Sequence, residues 1–165
     1  GYFDAMGIAL VRGRGFTVDD RPDTAPVAVI GERTARRFWP DAEPIGRRVR
    51  TTQRMSGTGV AADVDVTYEV VGVAADVRTR ALDAPPAFDL YVSAEQAFSG
   101  DTFFVVRTVA DPRALASVVD DAIRSVDPNQ SIFDVQPMAD RLAAASWQTR
   151  TSVAVLTALS LVGLV

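Results

Sequence analysis

The 165-residue sequence contains no histidine, no cysteine and no lysine. Each absence closes a branch of chemistry. Without histidine or cysteine there is no Ser-His-Asp or Cys-His nucleophile, and no zinc site built on those ligands. Without lysine there is no Schiff base and no Walker-type phosphate lysine. An enzyme would be left with carboxylate pairs, or with carboxylates holding a metal. The missing cysteine leaves the redox compartment open, because an oxidising compartment permits disulfides without requiring them. Also lacking are an initiator methionine and a signal-peptide pattern ahead of GYFDAM, as expected of an excerpt from a longer protein.

What is present is the balance of a folded chain. Hydrophobic residues make up 48% and charged residues 23%, which separates the sequence from disordered ones, and its length suits one domain or two small lobes. All 17 basic residues are arginine, yet the net charge is −4, which argues against nucleic acid as the main partner.

Along the chain, VAVI (27–30) is fit for a buried strand, and GERTARRFW after it for a short helix that Pro40 stops. DAEPIGRRVR turns at Pro44 and Gly46 into an extended segment, QRMSGTGVAAD (53–63) reads as a small-residue loop, and VDVTYEVVGVAADV as a long strand. LDAPPAFDLYV holds a proline pair and a short strand, and TFFVVRTV (102–109) is a further strand candidate. Asp111 and Pro112 then occupy N-cap and N1 positions. Leu115, Val118, Val119, Ala122, Ile123 and Val126 follow on one helix face. SIFDV (131–135) is expected as a strand, so that Phe104, Val106, Phe133 and Val135 pack with Leu115, Val119 and Ile123 in a strand–helix–strand unit. Pro137 opens a last helix, which no glycine or proline interrupts from Met138 to Val162.

Three features invite a sharper chemistry. GTGVAA (57–62) fits the dinucleotide fingerprint, with Asp83 further on, but an arginine-rich segment precedes it and a β-branched run follows. The fingerprint needs an apolar strand before it and a helix after it, so a loop is expected. Asp19, Asp20 and Asp23, then Asp63 and Asp65, then Asp120 and Asp121 form small acidic groups. None has the glycine turn and closing glutamate of a calcium loop, and they read as solvated turns and a polar helix side. Arg33, Arg36, Arg37, Arg47, Arg48, Arg50 and Arg54 cluster against only Asp41 and Glu43. They could meet phosphates, but a solvated face with salt bridges to the acidic remainder is the favoured reading.

The end of the sequence, TSVAVLTALSLVGLV (151–165), carries no charge. Val153, Val155, Leu156, Leu159, Leu161, Val162, Leu164 and Val165 would surround a helix on every side. Such a helix is either deeply buried or in lipid. A span needs ~20 apolar residues, so this run is expected to be the start of a transmembrane helix that the excerpt cuts.

Taken in order, GYFDAMGIALVRGRGFT, VAVIGERTARRFWPDAEPIGRRVR, YEVVGVAADVRTRALDAPPAFDLYV and VVRTVADPRALASVVDDAIRSVDPNQSIFDVQPMADRL resemble the extracytoplasmic core domain of MacB-like permeases. These belong to the FtsX-like superfamily of ABC transporter permeases. The resemblance implies an α+β fold of mixed sheets in two lobes, outside the inner (plasma) membrane. Residues 1–98 would be the β-rich inserted lobe, 99–148 the C-terminal half of the α+β lobe, and 149–165 the start of the second transmembrane helix. The first half of the α+β lobe and the other transmembrane helices would lie outside this sequence. The implied function is non-enzymatic and without cofactor: relaying the motion of a separate cytoplasmic ATPase subunit or domain to export, or to a partner outside the membrane. The partners would be membrane lipid, that ATPase and a second permease copy, with no nucleic acid. Two alternatives stay open, a membrane-anchored interaction domain without transport and a carboxylate-dependent envelope hydrolase. The hydrolase would need two of Asp19, Asp63, Asp65 and Asp83 to converge in a cleft.

Overall fold

The computed structural model describes residues 1–56, 61–77, 87–97 and 102–143. The chain divides into two compact units, Gly1–Val106 and Arg107–Val165. In chain order its elements are α1 (Tyr2–Met6), β1 (Leu10–Gly13), β2 (Val27–Gly31), α2 (Glu32–Phe38), β3 (Arg48–Ser56), β4 (Ala61–Ala74), β5 (Leu90–Val92) and α3 (Pro112–Val126). The fold is α+β with one mixed sheet.

The first unit is organised by β4, whose two halves do different work. Its first half, 61–69, pairs antiparallel with β3 in a long hairpin. Its second half runs between β1, antiparallel, and β2, parallel, with β5 closing the far side of β2. β2 is buried at all five positions, as a β-branched run covered on both faces should be. On one face Phe3, Ile8, Val27 and Val29 form a cluster with Val71 and Ala74. On the other, Ile30 meets Ala35 of α2 together with Val70 and Val73.

A β-bulge makes this division possible. Val27 and Ala28 lie opposite Glu69 and Val70, but Val29 lies opposite Gly72, so Val71 has no counterpart on β2. An extra residue flips the phase of everything after it. Val70 and Val73 therefore share one face while Val71 and Ala74 share the other. Gly72 sits where β1 comes closest. Gly13 is its register partner, and a Cβ on Gly72 would run into the carbonyl of Arg14, which follows Gly13.

The elements of this unit end where the sequence provides for it. α1 stops at Gly7 in the left-handed region, φ 70°, as glycine permits. α2 stops at Trp39, which the following Pro40 forces out of helical geometry. α1 and β1 were not foreseen. The expected loop 53–63 is smaller than its composition suggests, because residues 53–56 belong to β3 and residues 61–63 to β4. Polar, small-residue strands carry little propensity of their own; here the cross-strand ladder holds them.

In the second unit α3 forms as its pattern requires. Asp111 caps it, accepting the Arg113 amide at 3.0 Å with Pro112 at the first helical position. The expected flanking strands do not form. Residues 102–108 and 131–137 have no ladder partner among the described residues. Phe104 is 74% exposed and Phe133 69%, Val106 and Val135 are exposed too, and no residue of α3 is fully buried. Within this unit, the expected packing of Phe133 and Val135 on Leu115, Val119 and Ile123 is thereby corrected. Strand propensity is a preference for a pleated surface with neighbours, and neither segment has a neighbouring strand among the described residues.

Residues 138–143 are helical, and the carbonyl of Pro137 accepts the amides of Asp140 and Arg141. Two exposed ion pairs brace this turn: Arg113 to Asp140 at 2.6 Å, and Arg141 to Asp134 at 2.9 Å. Residues 144–165 lie outside the described residues, and with them the expected membrane segment Val153 to Val165. Among the described residues no helix is long and apolar enough to cross a membrane.

Candidate functional site

The acidic groups of the sequence separate in the structure. Asp19 and Asp23 are exposed, as solvated turn residues should be. Asp20 is not: it is buried, and the expectation of a solvated turn is corrected for it. Its two oxygens accept from both terminal nitrogens of Arg14, at 2.8 and 2.9 Å, and one also accepts the Thr17 amide at 2.7 Å. A bidentate guanidinium is the geometry that best compensates a desolvated carboxylate. The Arg14 guanidinium, with the Thr17 amide, holds the Asp20 carboxyl below the usual carboxylate range despite its burial. Asp20 in turn raises Arg14. The pair is self-neutralising and offers neither a base nor an acid at neutral pH.

The same loop is tied down a second time. The Gln96 side chain accepts the Val27 amide at 3.0 Å and donates to the carbonyls of Arg21 and Ala25 and to the Thr24 hydroxyl. Residues 17–26 are thus clamped onto the sheet by polar contacts from 14 and 96. Because the folded Asp20 carboxyl titrates below its unfolded value, the stability it contributes is full above about pH 4 and falls away as pH drops through the folded value. Asp20→Asn should flatten that acid limb of stability against pH and cost about 1.5–3 kcal/mol at pH 7. The lower end is expected, since Arg14 is partly exposed and stays hydrated. Urea unfolding followed from pH 7 to pH 3 checks both; an unchanged acid limb would show that Asp20 is not the group responsible.

Asp76 organises the start of α2. Gly31, at the N-cap, has no side chain to cap with, and Asp76 substitutes from 43 residues away by accepting the Arg33 amide at 2.7 Å. Its other oxygen accepts from Arg36 at 2.7 Å. A Cβ on Gly31 would press on that carboxylate at 3.2 Å, so glycine leaves the room. Nearby, burial with the adjacent Asp89 pushes the Tyr91 phenol up to about 12, which keeps it protonated and rules it out as a nucleophile at neutral pH.

The other acidic groups are exposed or hydrogen-bonded where they are described. Asp63 and Asp65 are two residues apart on the exposed side of β4, and Asp65 accepts the Thr52 hydroxyl at 2.7 Å. Asp120 is bound to Arg124 at 2.8 Å one helical turn away, with Asp121 exposed beside it. Asp83 lies outside the described residues. Among the described residues no three acidic side chains are placed to hold a metal ion. Of GTGVAA, residues 57–60 lie outside the described residues, while Ala61 and Ala62 open β4 instead of a helix.

The arginine cluster splits in two. Arg36 pairs with Glu32 and Asp76, and Arg47 donates to the Glu43 carbonyl. Arg33 instead lies over the Phe88 ring, 5.1 Å from its centroid, and has no ion pair among the described residues. Arg37, Arg48 and Arg50 are exposed and likewise without an ion pair there. The sequence singled out these arginines but not Arg14, Asp76 or Gln96. Only Asp20 carried a local signal, the T-x-x-D spacing of a side chain that caps a turn.

A family model, the MacB-like periplasmic core domain, matches residues 1–126. Among solved structures, the periplasmic region of MacB from Actinobacillus actinomycetemcomitans is similar at TM-score 0.49 and 17% identity, over 76% of this chain and 52% of that one. A domain of a protein described as a permease, from Porphyromonas gingivalis, is similar at TM-score 0.37 and 15% identity, over 83% and 52%. This chain thus spans about half the length of either. No curated protein matches it. With the family model covering well over half of the sequence, including the whole sheet and α3, the chain belongs to the MacB-like periplasmic core domain family.

Proposed function

We propose that this chain is the extracytoplasmic module of an FtsX/MacB-like ABC transporter permease, coupling cytoplasmic ATPase motion to export or to a partner outside the membrane. The observation that carries this reading is the family match over residues 1–126, followed in the same chain by the uncharged run 151–165. On this reading residues 1–98 are the inserted lobe, 99–148 contribute half of the α+β lobe, and 149–165 start a transmembrane helix in the inner membrane. The module is non-enzymatic. Lipid surrounds Val153 to Val165, and the ATPase is a separate subunit or domain, with a second permease copy as a further partner. The exposed Phe103, Phe104, Val106, Phe133 and Val135 support the division of the α+β lobe. Exposed apolar side chains of that kind are expected where a companion half supplies the missing strands.

The 165 residues of this sequence add no cysteine of their own to the test. In the full-length protein reconstituted into bilayers, single cysteines at Leu156 and Leu161 should be shielded from a membrane-impermeant maleimide. Cysteines at Arg50 and Asp121 should label readily from the outer side. Equal labelling at all four positions would remove the membrane helix and, with it, the permease reading.

A further inference from the structure

We propose that the outer side of α2, with Arg33 and Arg37 beside Phe88, is a docking site for an acidic, apolar-flanked segment of another protein. Arg33 and Arg37 are one helical turn apart and therefore lie on the same side of α2. Most other arginines of known placement are matched: Arg12 to Glu43, Arg14 to Asp20, Arg21 to Asp23, Arg36 to Asp76, Arg113 to Asp140, Arg124 to Asp120 and Arg141 to Asp134. In a chain with more acidic than basic residues, Arg33 and Arg37 stand together on one helix side without an ion pair among the described residues, as Arg48 and Arg50 do on β3.

Helix stability does not account for them. Like charges at this spacing repel, and Arg33 stands in the first turn, where the helix dipole favours an acid. Glu32 already fills that role. Only Arg37, in the last turn, sits favourably with the dipole.

The aromatic neighbour points the same way. Phe88 is 55% exposed. Phe88 holds the Arg33 guanidinium by its flat face, which orders the side chain and leaves its edge donors for a ligand. Ordered guanidinium beside exposed aromatic rings is the composition of interaction hot spots. The complementary partner carries carboxylates spaced to meet two guanidiniums, with an apolar side chain beside them for Phe88. The site lies in the folded core of the domain and its occupancy does not depend on transport, so this inference stands or falls separately from the permease reading.

The test is a fluorescence-anisotropy titration of the full-length protein in nanodiscs with a labelled peptide of repeated Glu-Phe-Glu-Leu. The lysine analogue of that peptide, and phosphatidylcholine vesicles with and without phosphatidylglycerol, serve as comparators. Binding of the acidic peptide alone is expected, weakened by salt and at least about tenfold weaker in the Arg33→Glu/Arg37→Glu variant. Arg50→Glu, at an exposed arginine on β3 without an ion pair among the described residues, should bind as the unaltered protein does. Circular dichroism melts of both variants should match the parent, and Arg33→Gln/Arg37→Gln should show an intermediate loss. No binding of the acidic peptide, binding indifferent to the α2 substitutions, equal binding of the lysine analogue, or preferential binding of the anionic vesicles would each overturn the proposal.

Discussion

Gly72→Ala should destabilise the protein by about 3 kcal/mol, the upper end of what overpacking a well-filled core costs. The added methyl would meet the Arg14 carbonyl, and it would also press on the Val29 side chain. The Val29 methyl can turn, but the carbonyl belongs to the backbone where β1 lies against β4, and it cannot. Relief would require β1 to move away, at the expense of the Arg14 amide bond to the Val71 carbonyl and the Leu10 pairing with Ala74. Gly46→Ala is the matched comparison. Gly46 has φ 78°, so alanine there is strained, but nothing lies within 4 Å of the added carbon. Backbone strain alone costs about 1 kcal/mol. Urea unfolding of the two variants should therefore separate a collision from a conformational penalty by roughly 2 kcal/mol. Equal losses would mean that the two strands are not held as closely as the structure has them.

The same bulge shows what a sequence can and cannot disclose. β2, α2 and α3 were legible because each is specified locally: a β-branched run, a helix stopped by Pro40, and an apolar stripe opened by Asp111 and Pro112. The span of β4 was nearly legible too, but the facing of its residues was not. Strict alternation would place Val71 and Val73 on one face, and the bulge that separates them is fixed only by pairing with β2. Asp76 was out of reach for the same reason, since it caps a helix 43 residues away. The clasp between Arg14 and Asp20 is shorter in range, yet the T-x-x-D spacing in RGRGFTVDD marks a turn cap and not that Asp20 is buried while Asp19 is solvated. The segments TFFVVRTV and SIFDV failed in the opposite way. Their composition is right for strands, but a strand is a relation between segments, and these have no partner among the described residues.

A flexible Gly-Ser stretch inserted after Gln136 should leave the domain folded and the membrane helix inserted, yet uncouple ATP hydrolysis from export in the full-length permease. This follows from the proposed function and from how the last helix is joined. Between Val135 and the helical residues 138–143 stand only Gln136 and Pro137. Pro137 fixes its own φ and restricts the residue before it, so the joint is short and stiff. Arg113–Asp140 and Arg141–Asp134 then tie the first turn to α3 and to the segment just upstream. Each pair is exposed and worth no more than about 1 kcal/mol, so neither could hold a helix that a flexible insertion had set free. A Gly-rich linker of n residues spans about 5–6 Å times √n, so even a short one lets the helix shift by several ångströms without pulling on α3. ATPase activity should persist while export stops, and Arg113→Ala/Asp134→Ala, which removes both braces but keeps the short joint, should lose export only in part. If the insertion left export intact, force would not pass through this joint, and the module would serve as a binding platform and not as a mechanical relay.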